Sequence, residues 1–274
     1  MIEVGIAGIG CWSPCFSNWG ELRKGFRDGV WADEAKLVPE ILPPPERRRA
    51  PKTVKMAIEV LGQACTMSAI EPHKAAVVFS SAMGDMDITD AICSTLARQP
   101  ELVSPTRFHN SVHNAAIGYW SIATGAHTPT TAVAGHDHSA ALGLLEAATQ
   151  AAVDGIPVLF VCQEGSAPQP LVQIRNSLQP LALAMMLTPP GAEIPLIAHL
   201  KVSLLTTPAE ATGSGAPSAS LPLEFEGNPA SRFLPLFEQL ALIDSGVGYK
   251  PDHLTLPISD QRSISIEIHP GGET

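Results

Sequence analysis

The chain has 274 residues, of which 45% are hydrophobic and 16% charged, with a formal net charge of −10 and a pI of about 5.3. This is the composition of a globular chain and excludes a disordered one. The acidic balance excludes nucleic acid and anionic membrane surfaces as partners, because both need a basic face.

No run approaches the ~18 consecutive apolar residues of a membrane span, and the opening residues lack a basic n-region, so neither a span nor a signal peptide is expected. The cysteines, Cys11, Cys15, Cys65, Cys93 and Cys162, are odd in number and scattered. That pattern does not suggest a disulfide framework, and a cytoplasmic protein with reduced thiols is expected.

In chain order, residues 2–9 form a β-rich run that ends among Gly8 and Gly10 and predicts a strand entering a tight turn. Residues 18–29 predict a short helix. Residues 39–51 hold Pro39, Pro43, Pro44, Pro45 and Pro51, which argues against regular structure. Residues 52–68 place Val54, Ala57, Ile58, Leu61 and Ala64 at helical spacing, with one buried stripe. Residues 75–80 form a short, wholly apolar run, as in a strand covered on both faces. Helices follow at 88–99 and 115–124, then a strand at 130–134, a long helix at 139–153 and an apolar strand at 158–163. Helices alternating with fully apolar strands indicate an α/β sheet between helix layers.

The last third reads differently. Strands are predicted at 181–187, 196–204 and 264–268, a Gly/Ser-rich loop at 210–220, and a helix at 228–245 with Asn228 as its cap. No internal repeat of fixed period is present. The only basic cluster is Arg47, Arg48 and Arg49, with Lys52 and Lys55 close behind; it reads as a solvated helix start or as an anion contact.

Several patterns point to chemistry without completing it. His136, Asp137 and His138 could ligate a metal if they lay on a strand, but two histidines and a carboxylate with no distant ligand read as a polar turn capping a helix. Cys11 and Cys15 lack a second Cys or His pair. Gly5, Gly8 and Gly10 lack the dinucleotide fingerprint spacing, and Ser139 is not in a Gly-x-Ser-x-Gly elbow. No metal or cofactor is expected.

Other segments, taken in order, resemble a known family. These are Val4 to Gly10 followed by Ser13-Pro14; Ser104-Pro105-Thr106-Arg107-Phe108; Ser111-Val112-His113-Asn114-Ala115; the strand of Thr130, Thr131, Ala132, Val133 and Ala134; and the helix from Ser139. Their order and spacing resemble the β-ketoacyl synthases of the thiolase-like fold, over residues 1–165. The run from Ser111 through Tyr119-Trp120-Ser121 looks closer still to short ketosynthase-like proteins of aryl polyene and related pigment clusters, called chain length factors.

The resemblance implies a layered α-β-α fold amounting to one half of the usual duplicated chain, with residues 166–274 a reduced region completing the same domain. It also implies where a nucleophile belongs. Ketosynthase condensation takes a thiolate at a helix N-terminus and two groups, usually histidines, that stabilise the enolate. Alignment puts Asp137 at the nucleophile position, or in a looser alignment Gly135, and the family's later histidine motifs are absent.

The expected role is therefore that of a non-catalytic subunit paired with a full-length ketosynthase, shaping the acyl tunnel in polyene, polyketide or fatty-acid-type elongation. Candidate partner or tunnel residues are Phe108, His109, Asn110, His113, Asn114, Tyr119, Trp120 and residues 130–134; Arg47, Arg48 and Arg49 are candidates for transient contact with an acyl carrier protein. The rival reading is a stand-alone acyl-thioester transferase or decarboxylase using His136, Asp137 and His138.

Overall fold

A computed structural model describes residues 1–207, 225, 227–246 and 253–272. The Gly/Ser-rich run at 210–220 lies outside the described residues. The strands with the most continuous apolar runs form the centre. β2 (Ala76–Ser80), β4 (Val158–Glu164) and β5 (Leu181–Thr188) are buried along their whole lengths. They join β1 (Ile2–Trp12), β3 (Thr130–Val133), β6 (Ala198–Leu205), β7 (His253–Ser259) and β8 (Arg262–Pro270) in one sheet of order β3-β2-β4-β5-β1-β6-β8-β7. β3, β2 and β4 are parallel, and every other pairing is antiparallel.

The sheet is covered on both faces. α3 (Lys52–Ser68) and α6 (Ala115–Thr124) bury Val54, Ile58, Leu61, Ile117 and Trp120 on one side. α1 (Trp19–Asp28), α7 (Ser139–Asp154) and α8 (Leu234–Ser245) bury Trp19, Leu144, Leu236 and Phe237 on the other. This is the layered α-β-α arrangement expected. α3 lies directly on β1: a β-carbon at Gly10 would sit 1.9 Å from the Val60 carbonyl oxygen, and one at Gly8 2.2 Å from that of Ala64. These glycines thus serve helix–strand contact and not a turn, and β1 continues through them to Trp12.

The two ends of the sheet repeat one pattern. α7 leads into β4, which pairs antiparallel with β5, which pairs antiparallel with β1. α8 leads into β7, which pairs antiparallel with β8, which pairs antiparallel with β6. β1 and β6 meet antiparallel between the two sets. The second set has no counterpart of β2 and β3 among the described residues.

Two expectations need correction. The proline-rich stretch is not wholly irregular, because Pro44–Arg49 forms a short helix, α2. Pro44 and Pro45 occupy its first turn, where backbone N–H groups have no intrahelical acceptor to lose. Glu46 at its start and Arg47, Arg48 and Arg49 at its end match the helix dipole. β7 was not among the predicted strands; it lies at the sheet edge, where its Pro257 is tolerated, beside a register irregularity. The helix predicted at 228–245 begins as a 3₁₀ turn over Pro229–Phe233 and continues as α8, with the Asn228 side chain accepting from the Ala230 N–H at 2.9 Å.

Candidate functional site at the strand–helix elbow

The three parallel strands end together, and their carboxyl ends form one rim. Ser80 pairs with Val133 on one side and Cys162 on the other. Beyond the rim, β3 turns through Ala134, Gly135, His136, Asp137 and His138 into α7. The turn is closed locally. Ser139 Oγ accepts from the Gly135 N–H at 2.9 Å and donates to the His136 carbonyl at 2.6 Å. A β-carbon at Gly135 would collide with Leu142. His136 has φ of 55°, the left-handed region that a residue with a β-carbon enters at a cost. The strained position is thus His136, between the two positions that alignment offers.

Asp137 does not cap the helix as its place suggests. Its carboxylate turns instead to Arg175, 2.5 Å away, with Arg232 at 3.5 Å and the His136 ring at 3.7 Å. Arg175 also reaches His136 Nε2 at 3.2 Å. Partial burial pushes the Asp137 carboxyl up, but the hydrogen bond and charge of Arg175, backed by Arg232 and His136, hold it below the usual carboxylate range. Such a carboxylate is a committed ion-pair partner and a poor acyl acceptor. His138 precedes the helix without a side-chain cap bond. No thiol stands in the elbow: Cys162 is on β4, buried and with its thiol pushed up by burial and by the charge of Glu164, and Cys93 is on α4 (Met86–Arg98). Among the described residues no cluster of three or more His, Cys, Asp and Glu side chains could hold a metal ion.

One residue that sequence reasoning missed lies directly behind the elbow. Glu164, at the end of β4, is 3% exposed. Its carboxylate accepts the backbone N–H groups of Ala82 and Met83 and the Ser81 hydroxyl. Burial is the larger influence and raises it to about 7, against the lowering effect of these bonds and of Arg175. The available signal was a lone acid ending an otherwise uncharged, largely apolar strand. Arg175 gave no signal, since its partners are distant in sequence.

The remaining predicted residues separate into two groups. Phe108, on α5 (Pro105–Asn110), is 67% exposed, and His109, Asn114, Thr130, Ala132 and Ala134 are exposed as well. Thr131 and Val133 are half-buried on β3, a sheet edge whose outer side has no strand partner among the described residues. By contrast Trp120 is fully buried, and Asn110 is buried and accepts the Tyr119 hydroxyl at 3.2 Å. His113 is held by its Nε2 to the Ser81 carbonyl at 2.9 Å and edge-on to Phe79. On α2, Arg47 donates to the Leu42 carbonyl, while Arg48 and Arg49 are exposed. A cleft of about 1120 Å³ lies away from the elbow, between α1, α3 and residues 36–41.

The family model described as "Beta-ketoacyl synthase, N-terminal domain" matches residues 18–225. The chain belongs to the β-ketoacyl synthase family.

Solved structures agree in fold. One is the ketosynthase ApeO in complex with its chain length factor ApeC from Xenorhabdus doucetiae, at 22% identity and TM-score 0.68, covering 97% of this chain and 100% of that one. Another is the ishigamide ketosynthase/chain length factor, at 15% identity and TM-score 0.76, covering 99% and 100%. A third is a type II polyketide synthase acyl-carrier protein in complex with its hexaketide-bound ketosynthase, AntDE:AntF, at 12% identity and TM-score 0.72, covering 98% and 100%. No curated protein matches the sequence. Among the described residues, no helix of this ketosynthase-family chain is long and apolar enough to cross a membrane.

Proposed function

We propose that this chain is a non-catalytic, chain-length-factor-like subunit that pairs with a full-length ketosynthase and supplies part of its acyl tunnel, in polyene, polyketide or fatty-acid-type elongation. The observation that carries the reading is the elbow. The strand–turn–helix that holds a nucleophile in a condensing enzyme is kept, and the carboxylate in it is consumed by Arg175 and Arg232. Condensation then needs a thiolate from another chain.

Surface features of β3, α5 and α6 support a partner. β3 has no outer strand partner among the described residues, a hazard that a second strand would relieve. α6 is apolar on all sides, yet leaves Ile122 81% exposed, whereas a helix of that character is normally buried. Phe108 and Val112 extend the same exposed apolar character. We read residues 1–165 as the ketosynthase-like half and 166–274 as a reduced second half, on the strength of the repeated α7-β4-β5-β1 and α8-β7-β8-β6 arrangement. Arg48 and Arg49 are offered as the contact for an acidic carrier protein, which an otherwise acidic chain would repel.

The test is native mass spectrometry of the chain alone and with a full-length ketosynthase from the same gene cluster, alongside a condensation assay. A one-to-one heterodimer with activity confined to the mixture supports the reading. A homodimer that ignores the ketosynthase and turns over acyl thioesters by itself replaces it with the stand-alone enzyme.

A further inference from the structure

The cleft between α1, α3 and residues 36–41 takes no part in the elbow, yet at about 1120 Å³ it has the volume of a small-molecule site. Its floor is the less buried face of α3, where Glu59, Gly62, Gln63 and Thr66 follow one another at helical spacing. Val38, Ile41, Met67 and Ile70 line it with apolar side chains. Gly62 stands in the middle of α3, where glycine is a weaker helix former than alanine. A β-carbon there would meet nothing within 4 Å, so no close approach demands the glycine. Its effect is to deepen the floor.

The polar groups of the floor are unequally satisfied. The Gln63 amide is fully engaged: it donates to the Ser17 carbonyl at 2.8 Å and to Glu59 at 2.9 Å, and its oxygen accepts the Cys11 N–H at 3.1 Å. Glu59 is half-buried, and that Gln63 bond is the one hydrogen bond it receives among the described residues. Burial, opposed by the Gln63 bond and reinforced by the charge of Glu40, raises its carboxyl above the usual range. Of the other charged groups lining the cleft, Arg23 is held by Asp244 at 2.5 Å and Glu71 by Lys74 at 3.3 Å. Glu59, Glu40 and Lys36 make no ion pair among the described residues, which leaves two carboxylates against one ammonium. A carboxylate drawn out of water beside a second acid is unfavourable until a cation reaches it.

We propose that this cleft binds an amphiphilic amine, with its ammonium group on Glu59 and Glu40 and its apolar body between Val38, Ile41, Met67 and Ile70. The unpaired acids of the cleft set the sign of the head group, and the side chains around it set the character of the body. An anionic head would approach two unpaired carboxylates with Lys36 alone to hold it. The bound amine joins α1, α3 and residues 36–41. The inference does not rest on the Proposed function, since none of these residues belongs to the elbow, β3, α5 or α6.

The experiment is calorimetric titration of the full chain at neutral pH with octylamine, octanoate and octanol, each below its aggregation limit. Octylamine should bind one-to-one, and octanoate and octanol at least about tenfold more weakly, the loss expected when a charge-assisted hydrogen bond goes unmade. E59Q should weaken octylamine by about tenfold and leave octanol unchanged. G62L, which places a side chain in the open space above the floor, should abolish octylamine binding while the thermal midpoint is kept. Equal binding of octanoate, undiminished octylamine binding in E59Q or in a folded G62L, or no saturable octylamine binding up to about 1 mM overturns the proposal. Should E59Q fail to fold, G62L and the three probes decide. All arms use the chain alone, so failure of a ketosynthase to bind would sink the partner reading and leave this result standing.

Discussion

Removing Arg175 tests the elbow most directly. In R175M the guanidinium is lost while the apolar stem is kept, and Asp137 retains Arg232 at 3.5 Å and the His136 ring at 3.7 Å. The Arg175 and Asp137 side chains are 18% and 28% exposed. Exposed pairs contribute roughly 0–1 kcal/mol, and breaking a buried pair costs about 3–5 kcal/mol, so a pair buried to this degree should cost about 2 kcal/mol when the cation is removed. In a chain of this size that lowers Tm by about 4–8 °C.

Urea unfolding of wild type, R175M, D137N and the double variant closes a thermodynamic cycle. The coupling should be about 1 kcal/mol or more, since the double variant has no stranded charge. Additive losses, or an R175M midpoint indistinguishable from wild type, would refute the claim that this ion pair occupies the elbow. The same substitution removes the cation facing Glu164 and should move that carboxyl further up.

Other outcomes follow from the same geometry. Because Asp137 is held below its usual range, its contribution is present above about pH 3.8 and lost as pH falls through its folded value, so the R175M penalty should persist at pH 5 and fade in strong acid, as acid-unfolding curves would register. Trp120→Ala should cost about 3–5 kcal/mol in urea unfolding, whereas Phe108→Ala should leave stability within about 0.5 kcal/mol and weaken only ketosynthase association, measured by calorimetric titration. Gly10→Ala forces α3 off β1 and should destabilise by about 2 kcal/mol or more, seen as a lower midpoint or loss of soluble protein. D137C should gain no condensing activity in a radiolabelled malonyl assay, because a thiol alone does not restore the absent decarboxylation histidines.

Much of the fold was legible from the sequence where one signal dominated. α3 was read to its ends from a single apolar stripe, and β2, β4 and β5 from runs too apolar to face water. Legibility failed where proline has two meanings. Pro44 and Pro45 start a helix but were read only as breakers, and β7, which holds Pro257, was not predicted. The elbow was located in the sequence, but its partners were not. Arg175 and Arg232 reach Asp137 from 38 and 95 residues away, and no local pattern marks them. The role of Asp137 was likewise misread: capping is what an acid at that place does by default, and an arginine close by offered a stronger alternative.

The place of β1 between β5 and β6 has a consequence for biogenesis. β1 is synthesised well before its neighbours, which come from residues 181–188 and 198–205. At roughly 5–20 residues per second, it waits about 10–40 seconds for both. Throughout that interval this apolar strand lacks both sheet neighbours and is open to capture by chaperones or by other chains. The yield of folded protein should therefore depend on translation speed over the middle of the message as well as on the stability of the finished fold.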